Sequence, residues 1–172
     1  KRTDIAKQHS AAGRARGLIG GSKLGYDIVI YGFRLRNTIG VQANEEGADY
    51  FINAGKTLQR GIEALASYDF ASTHHFVSEF KVWGSYAYQH YRFKEYLDFT
   101  GNALTGIAPV TVSAGIDVSL NKKFTSNITA NYVDHIPLND ANTAFAEAYV
   151  LLGLRLGWNT QISQANRFHV FA

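Results

Sequence analysis

The stretch from Val110 to Tyr132 alternates with hardly a break. Val110, Val112, Ala114, Ile116, Val118 and Leu120 are separated by Thr111, Ser113, Gly115, Asp117 and Ser119, the two-residue period of a β-strand with one apolar and one polar face. After a polar turn at Asn121-Lys122-Lys123, Phe124, Ser126, Ile128, Ala130 and Tyr132 alternate with Thr125, Asn127, Thr129 and Asn131. The spacing predicts a hairpin of two strands of about ten residues each, joined by a very short connection.

The same period spreads both ways from this hairpin. Upstream, Leu58, Ile62, Ala64, Ala66, Tyr68 and Phe70 oppose Thr57, Gln59, Gly61, Glu63, Ser67 and Asp69, with Leu65 the exception on the polar side. Phe76, Phe80, Val82, Tyr86 and Tyr88 then oppose Glu79, Lys81, Ser85 and Gln89. Downstream, Ala146, Ala148, Val150, Leu152, Leu154, Leu156 and Trp158 form one face against Glu147, Gly153, Arg155 and Gly157, and Phe168 and Val170 begin a last strand. From Lys23 onward Val29, Tyr31, Phe33 and Leu35 share a face, but Ile28 and Ile30 leave the other face apolar as well. Residues 1–22 are the least periodic, and yield only a weak strand over Gly13 to Ile19 that turns at Gly20-Gly21-Ser22.

Residues 23–172 thus read as about seven or eight antiparallel strands. Long connections at 37–56, 91–109 and 133–143 alternate with short turns at 71–75, 121–123 and 159–164. Such asymmetry predicts an all-β, up-and-down sheet with one rim of elaborated loops and one of tight turns. Phe70, Phe76, Phe124, Trp158 and Phe168 flank the short turns, whereas Tyr86, Tyr88 and Tyr132 lie toward the long loops. Two aromatic girdles enclosing a band of small and aliphatic residues are the signature of a transmembrane β-barrel. A soluble barrel or sandwich alternates in the same way and hides its apolar face inside; strand length, girdles and loop asymmetry favour the membrane form.

Composition narrows the picture. With 172 residues the chain can form a sizeable domain. It has no Cys, hence no disulfide, thiolate metal site or cysteine nucleophile. It has no Met either, and a missing initiator leads one to expect a piece cut from something longer. Seventeen Lys and Arg against fourteen Asp and Glu leave a charge of +3, too small and too scattered to argue for nucleic acid. No run of eighteen apolar residues is present, so crossing a membrane falls to strands.

Candidate chemistry is sparse. His74 and His75 are adjacent in an expected turn, with His90, His135 and His169 far apart, which argues for surface residues rather than a metal site. Glu63, Glu79, Lys81, Asp117 and Arg155 all fall on the polar face and read as charges lining a wet lumen rather than a catalytic pair. No Gly-rich phosphate loop or Ser/His/Asp spacing is evident, and no cofactor is expected.

The segment Asn53-Ala54-Gly55-Lys56-Thr57-Leu58-Gln59-Arg60-Gly61-Ile62-Glu63 resembles the Asn-x-Gly-x-Thr-x-x-x-Gly-x-Glu segment of TonB-dependent outer-membrane receptors. Gly101 to Pro109, Tyr132 to Asn142 and Tyr149 to Trp158 resemble, in order, the stretches that follow it, so the likeness covers about Gly25 to the C-terminus. It implies a fragment of a large barrel of about twenty-two strands in a bacterial outer membrane. There the inner-membrane TonB complex acts through an N-terminal plug to drive uptake of an iron siderophore or similar scarce ligand. Neither plug nor TonB box is recognisable here, and the end at Ala172 is expected to fall short of the closing strand. In such a receptor Tyr91, Arg92, Lys94 and Tyr96 would be the residues to meet a ligand, since aromatics with cations hold an anionic, ring-rich chelate; the alternative is that Tyr91 and Phe93 extend the strand beyond the bilayer while Arg92 and Lys94 face water. The expected partners are membrane lipid, the chelate and, through the absent plug, TonB, and no enzymatic activity is expected. Two rivals differ in kind. One is a small complete outer-membrane barrel enzyme acting on lipid, such as a lipid A deacylase, which needs Ser, His and carboxylate in register on the outer face. The other is a soluble lipocalin-like barrel.

Overall fold

The computed structural model describes residues 7–21, 23–36, 39–43, 49–53, 55–70, 76–96, 98–161 and 167–172. In chain order the strands are β1 (Lys7–Ile19), β2 (Leu24–Arg36), β3 (Ile39–Ala43), β4 (Asp49–Asn53), β5 (Lys56–Phe70) and β6 (Val77–Glu95). They continue as β7 (Val110–Leu120), β8 (Phe124–Val133), β9 (Ile136–Pro137), β10 (Phe145–Ala146), β11 (Tyr149–Gln161) and β12 (Arg167–Phe171). Eight form one antiparallel meander in the order β1-β2-β5-β6-β7-β8-β11-β12, while β3 pairs with β4 and β9 with β10 inside two of the long connections. The alternation therefore produces the expected all-β, up-and-down sheet, open at both edges among the described residues.

The hairpin at the centre forms as read. β7 and β8 pair without a break from Thr111↔Val133 to Leu120↔Phe124. Asn121 and Lys122 take φ of 50° and 57°, and the Lys123 amide donates to the Leu120 carbonyl over 2.9 Å. A positive φ at both central residues matches the right-handed twist of the flanking strands. The turns expected at 71–75 and, for its latter part, 159–164 lie outside the described residues, as do Ser22, Asn44 to Gly47, His74 and His75.

Three elements run longer or differ from the pattern. β1 begins at Lys7, ahead of the expected Gly13, and pairs with β2 along its whole length. Its periodicity is faint because small residues, Ala11, Gly13, Ala15 and Gly17, carry one face and Arg14 and Arg16 the other. β6 runs on to Glu95, so Tyr91 to Glu95 are strand rather than connection. A bulge where Lys56 faces Glu95 and Thr57 faces Phe93 absorbs the extra residue of β6. Gly55 beside it has φ of 66°, and a Cβ there would stand 1.8 Å from the Glu95 carbonyl oxygen. Only glycine fits this entry into β5.

Register sorts the side chains cleanly. Cross-strand rows such as Ile28, Ala64, Tyr86, Val112, Tyr132 and Val150, or Leu24, Tyr68, Val82, Ile116, Ile128 and Leu154, share one face. Near the short turns this face carries aromatic pairs, Phe70 with Phe80 at 4.7 Å and Phe124 with Trp158 at 5.2 Å between ring centroids. Val110 to Leu120, 11 residues, rise ~34 Å along the strand, or ~26 Å of height at a tilt of about 40°, the height of a membrane barrel's apolar band.

A single sheet layer leaves that face uncovered. Leu152 is 81% exposed, Leu154 63% and Ile30 58%, while among the described residues the buried apolar side chains are Phe93, Tyr96, Ala108 and Pro137. A soluble barrel or sandwich of this size would enclose its aliphatic rows. The small core present lies instead under the loop after β6, where Phe99 and Leu104 pack on Phe93 and Tyr96.

Candidate functional site

The face opposite the aliphatic rows holds the strands' polar chemistry. One row crosses five strands as Asp69, Lys81, Asp117, Asn127 and Arg155. Opposite charges stand directly across from one another, an arrangement that stabilises strand pairing by about 0.2–1 kcal/mol per pair. Asn127 donates to Asp117 over 2.5 Å, and the Arg155 guanidinium lies 4.3 Å from the centre of the Phe171 ring. Glu63 stands between Val29 and Ala87, and Glu79 opposite Ser119. Glu63, Glu79, Lys81, Asp117 and Arg155 therefore share one face of the sheet. Arg14, which periodicity did not single out, joins them through a two-pronged ion pair with Asp27. A groove of ≈ 430 Å³ is lined by Arg14, Asp27, Val29, Glu63, Ser85 and Thr111.

Large aromatics share this polar face. The Tyr31 ring lies over Gly61 and Trp83 over Gly115, so that a Cβ on either glycine would stand 2.6 Å from the Tyr31 hydroxyl or 2.5 Å from the Trp83 ring. Both are direct cross-strand pairs, in which a ring covers the backbone that glycine leaves bare. Tyr31 also hydrogen-bonds Tyr91 across β2 and β6, with 2.8 Å between hydroxyl oxygens. Sequence reasoning missed Tyr31 and Trp83. Their signal lies in the register, which sets a glycine directly opposite each.

The structure separates the four residues expected to meet a ligand. Tyr91 is on the polar face. Arg92 pairs with Leu58 on the opposite face, where it donates to His90 Nε2 (3.1 Å) and the Gly101 carbonyl (2.8 Å). Lys94 is exposed on the bulged end of β6. Tyr96 is 3% exposed, its ring 4.7 Å from that of Phe93.

The long loops at this rim are tied together. Residues 101–104 fold back along β6, with Phe93 and Leu104 amides donating to Asn102 and Tyr91 carbonyls. The Asn142 side chain accepts from the Ala103 amide (2.7 Å) and donates to the Ala103 carbonyl (3.0 Å) and Asn139 carbonyl (3.1 Å). Asn102 and Thr105 both reach Asp140, and the Gly106 amide donates to the Pro137 carbonyl. Nearby, the Asp134 carboxylate meets His135 Nδ1 at 3.0 Å, and Glu147 lies 3.4 Å from Nε2. That hydrogen bond to Asp134, with the field of Glu147, raises the His135 pKa above its ordinary value, and the same hydrogen bond, with one from the His135 amide, lowers the pKa of Asp134. Among the described residues no cluster of three or more His, Asp and Glu could hold a metal ion.

Comparison with known proteins agrees with this architecture. The fold is similar to the copper transporter OprC, with a TM-score of 0.71 and 16% identity over 92% of this chain and 23% of that one. It is also similar to the ferric yersiniabactin uptake receptor FyuA from Yersinia pestis (TM-score 0.68, 13% identity, 95% of this chain and 24% of that one). A third such structure is the ferric citrate transporter FecA (TM-score 0.68, 18% identity, 94% and 29%). The chain thus spans about a quarter of the length of the barrels it matches. Among curated proteins none matches the sequence. Residues 15–171 match the family described as TonB dependent receptor-like, beta-barrel, and with nearly the whole length accounted for, the chain belongs to that family.

Proposed function

We propose that this chain is part of the barrel wall of a TonB-dependent receptor in a bacterial outer membrane, and that the receptor imports a metal chelate of the siderophore kind. The observation that supports this reading best is the sorting of the sheet's faces. One face is an exposed aliphatic band of membrane height with aromatic edges; the other carries the ladder from Asp69 to Arg155 and the groove at Arg14 and Glu63. The first then faces lipid and the second a polar lumen. In this arrangement the long-loop rim is extracellular. Tyr91, held by Tyr31 at the top of the polar face, is the residue of β6 placed to stack on a descending chelate, whereas Arg92 stands on the wrong face and Tyr96 is spent on the loop's own core.

The receptors and transporters similar in fold take ferric chelates and copper, so the reading extends to metal import as a class. The TonB complex would act through a plug belonging to the rest of the receptor. The test uses the full-length receptor. Under iron limitation, cells lacking it should lose uptake of a radiolabelled ferric chelate that restores their growth, and a Tyr91→Ala, Tyr31→Ala receptor should bind that chelate at least ten times more weakly. Unchanged uptake of every iron and copper chelate in its absence would overturn the reading in favour of the lipid-enzyme alternative.

A further inference from the structure

We propose that the receptor's cargo is a metal chelate bearing an ammonium group, and that Glu63, below the Tyr31 and Tyr91 hydroxyls on the polar face, is the residue that holds this group. The proposal rests on the transport reading and gives the cargo a charge. That charge is opposite in sign to the anionic chelate that the sequence leads one to expect from Tyr91, Arg92 and Lys94.

From the long-loop rim the polar face descends in rows ~7 Å apart along the strands. Thr57 and Phe93 stand in the first row, Gln59 and Tyr91 in the second, Tyr31, Gly61 and Gln89 in the third, and Arg14, Val29, Glu63 and Ala87 in the fourth. The three rows above Glu63 hold no charged residue in β1, β2, β5 or β6. Arg14, in the same row, is bound to Asp27, and Arg16, one row lower, stands directly opposite Asp27. Lys81 and Arg155 lie three rows below, in the ladder with Asp69 and Asp117. Among the described residues no Lys, Arg or His forms an ion pair with Glu63. Its side chain is exposed, it lines the groove of ≈ 430 Å³, and its field reaches the Tyr31 hydroxyl.

The other cations toward this rim do not supply what the polar face lacks. Arg34, Arg36, Arg60 and Arg92 have the parity of the apolar face, and Lys7 stands in register with Arg36. Lys56 is 2.6 Å from Glu95, and Lys94 is exposed on the bulged end of β6. The connections of the same rim add carboxylates: Glu45, Glu46 and Asp49 in 37–55, Asp98 in 97–109, and Asp134, Asp140 and Glu147 in 134–148. None of the three contains Lys or Arg, and His135 is held between Asp134 and Glu147.

A cleft lined by one sign of charge concentrates ligands of the other and speeds their entry. Beneath that field the Tyr31 and Tyr91 rings offer faces to a cation, and Glu63 completes the descent with a charge-assisted hydrogen bond to the ammonium. A chelate ending in a carboxylate meets like charge at the mouth and again at Glu63.

The test measures binding of three ferric trihydroxamates to the full-length receptor in nanodiscs. They are identical except for an arm that ends in a primary amine, its acetamide or its succinamide. The ammonium form should bind roughly tenfold tighter than the acetylated form, on one charge-assisted hydrogen bond, and the succinylated form should bind weakest. Association of the ammonium form should slow as salt rises. Glu63→Gln should remove its advantage and leave the acetylated form unaffected, and Glu63→Lys should favour the succinylated form. Glu79→Gln, near the opposite rim of the same face, should keep the original order. Equal binding of the three chelates, failure of the ammonium form to bind, or an unchanged preference in Glu63→Gln would overturn the proposal. Uptake of a different iron chelate by cells expressing a receptor that ignores the ammonium form would overturn it while leaving the transport reading intact.

Discussion

The Asn142 side chain is the point at which two long loops depend on one residue. Its amide makes three hydrogen bonds to backbone, two to Ala103 and one to Asn139, and its own φ is 53°, which asparagine tolerates better than alanine. Net values of ~1 kcal/mol per hydrogen bond and about 1 kcal/mol for a Cβ residue without a polar side chain at that φ give Asn142→Ala a local cost of about 3–4 kcal/mol. Asn142→Gly keeps the backbone conformation and loses only the bonds, about 2–3 kcal/mol. Contacts of Asp140 with Asn102 and Thr105 survive in both variants, so the effect should be confined to residues 101–104 and 139–144. Hydrogen exchange of the full-length receptor in detergent reads this directly, because local opening sets the rate. Exchange at the Ala103 amide should accelerate by roughly 100-fold or more in Asn142→Ala and somewhat less in Asn142→Gly, at about 1.4 kcal/mol per tenfold. Rates within about threefold of the unaltered receptor in Asn142→Ala would refute the argument, since such a rate change corresponds to well under one net hydrogen bond.

Other expectations follow from the two faces and the loop charges. Leu152→Arg, in the middle of the aliphatic band, should cost about 2–4 kcal/mol in reversible folding into lipid, whereas Asn131→Lys on the opposite face should cost under about 1 kcal/mol; equal effects would mean that the faces are misassigned. Gly115→Val should destabilise by ~1–3 kcal/mol through overpacking and shift the fluorescence of Trp83, read in a Trp158→Phe background; an unmoved spectrum would show that the ring does not rest on Gly115. The raised His135 pKa stabilises the loop fully below about 6.5, and the benefit disappears as pH climbs through the folded-state pKa above that value. The lowered Asp134 pKa acts in the opposite sense, its contribution present above about 3.9 and disappearing as pH falls through the folded value. Exchange protection of residues 134–148 should therefore peak in mildly acidic buffer and decline toward alkaline pH, a decline that His135→Asn should abolish.

How much was legible in the sequence depends on what each strand puts on its two faces. β7, β8 and β11 oppose aliphatic residues to Thr, Ser, Asn and Gly, so period two is unmistakable and the register follows. β2 was ambiguous because Val29, Tyr31, Phe33 and Leu35 are apolar yet share a face with Glu63 and Gln59. Tyr31 serves there as a cover for Gly61 and a partner for Tyr91, not as a lipid contact. In β1 small residues mute the signal, although Arg14 and Arg16 alternate with Ala and Gly as the polar face requires. Loop interiors left no periodic trace: Phe93, Tyr96, Phe99 and Leu104 are spaced like neither helix nor strand, and their mutual packing was indistinguishable from an aromatic ligand patch.

Arg92 shows why the strand boundary mattered more than residue type. Assigned to a connection, it has no parity and groups naturally with Tyr91 beside it. Extending β6 to Glu95 gives it the parity of Tyr86 and Tyr88, which sends it to the opposite face and into a row with Arg34. The same step separates the charges of the whole sheet. Among the described residues of the sheet strands, the carboxylates Asp27, Glu63, Asp69, Glu79 and Asp117 stand on the polar face, while Arg34, Arg60 and Arg92 stand on the apolar face at one rim. A net charge of +3 conceals this segregation, because a sum over the chain carries no information about face. In a sheet that divides water from lipid, the partner of a charge is set by its parity and its height. Arg155 and Arg92 therefore belong to different chemistries although both are strand arginines.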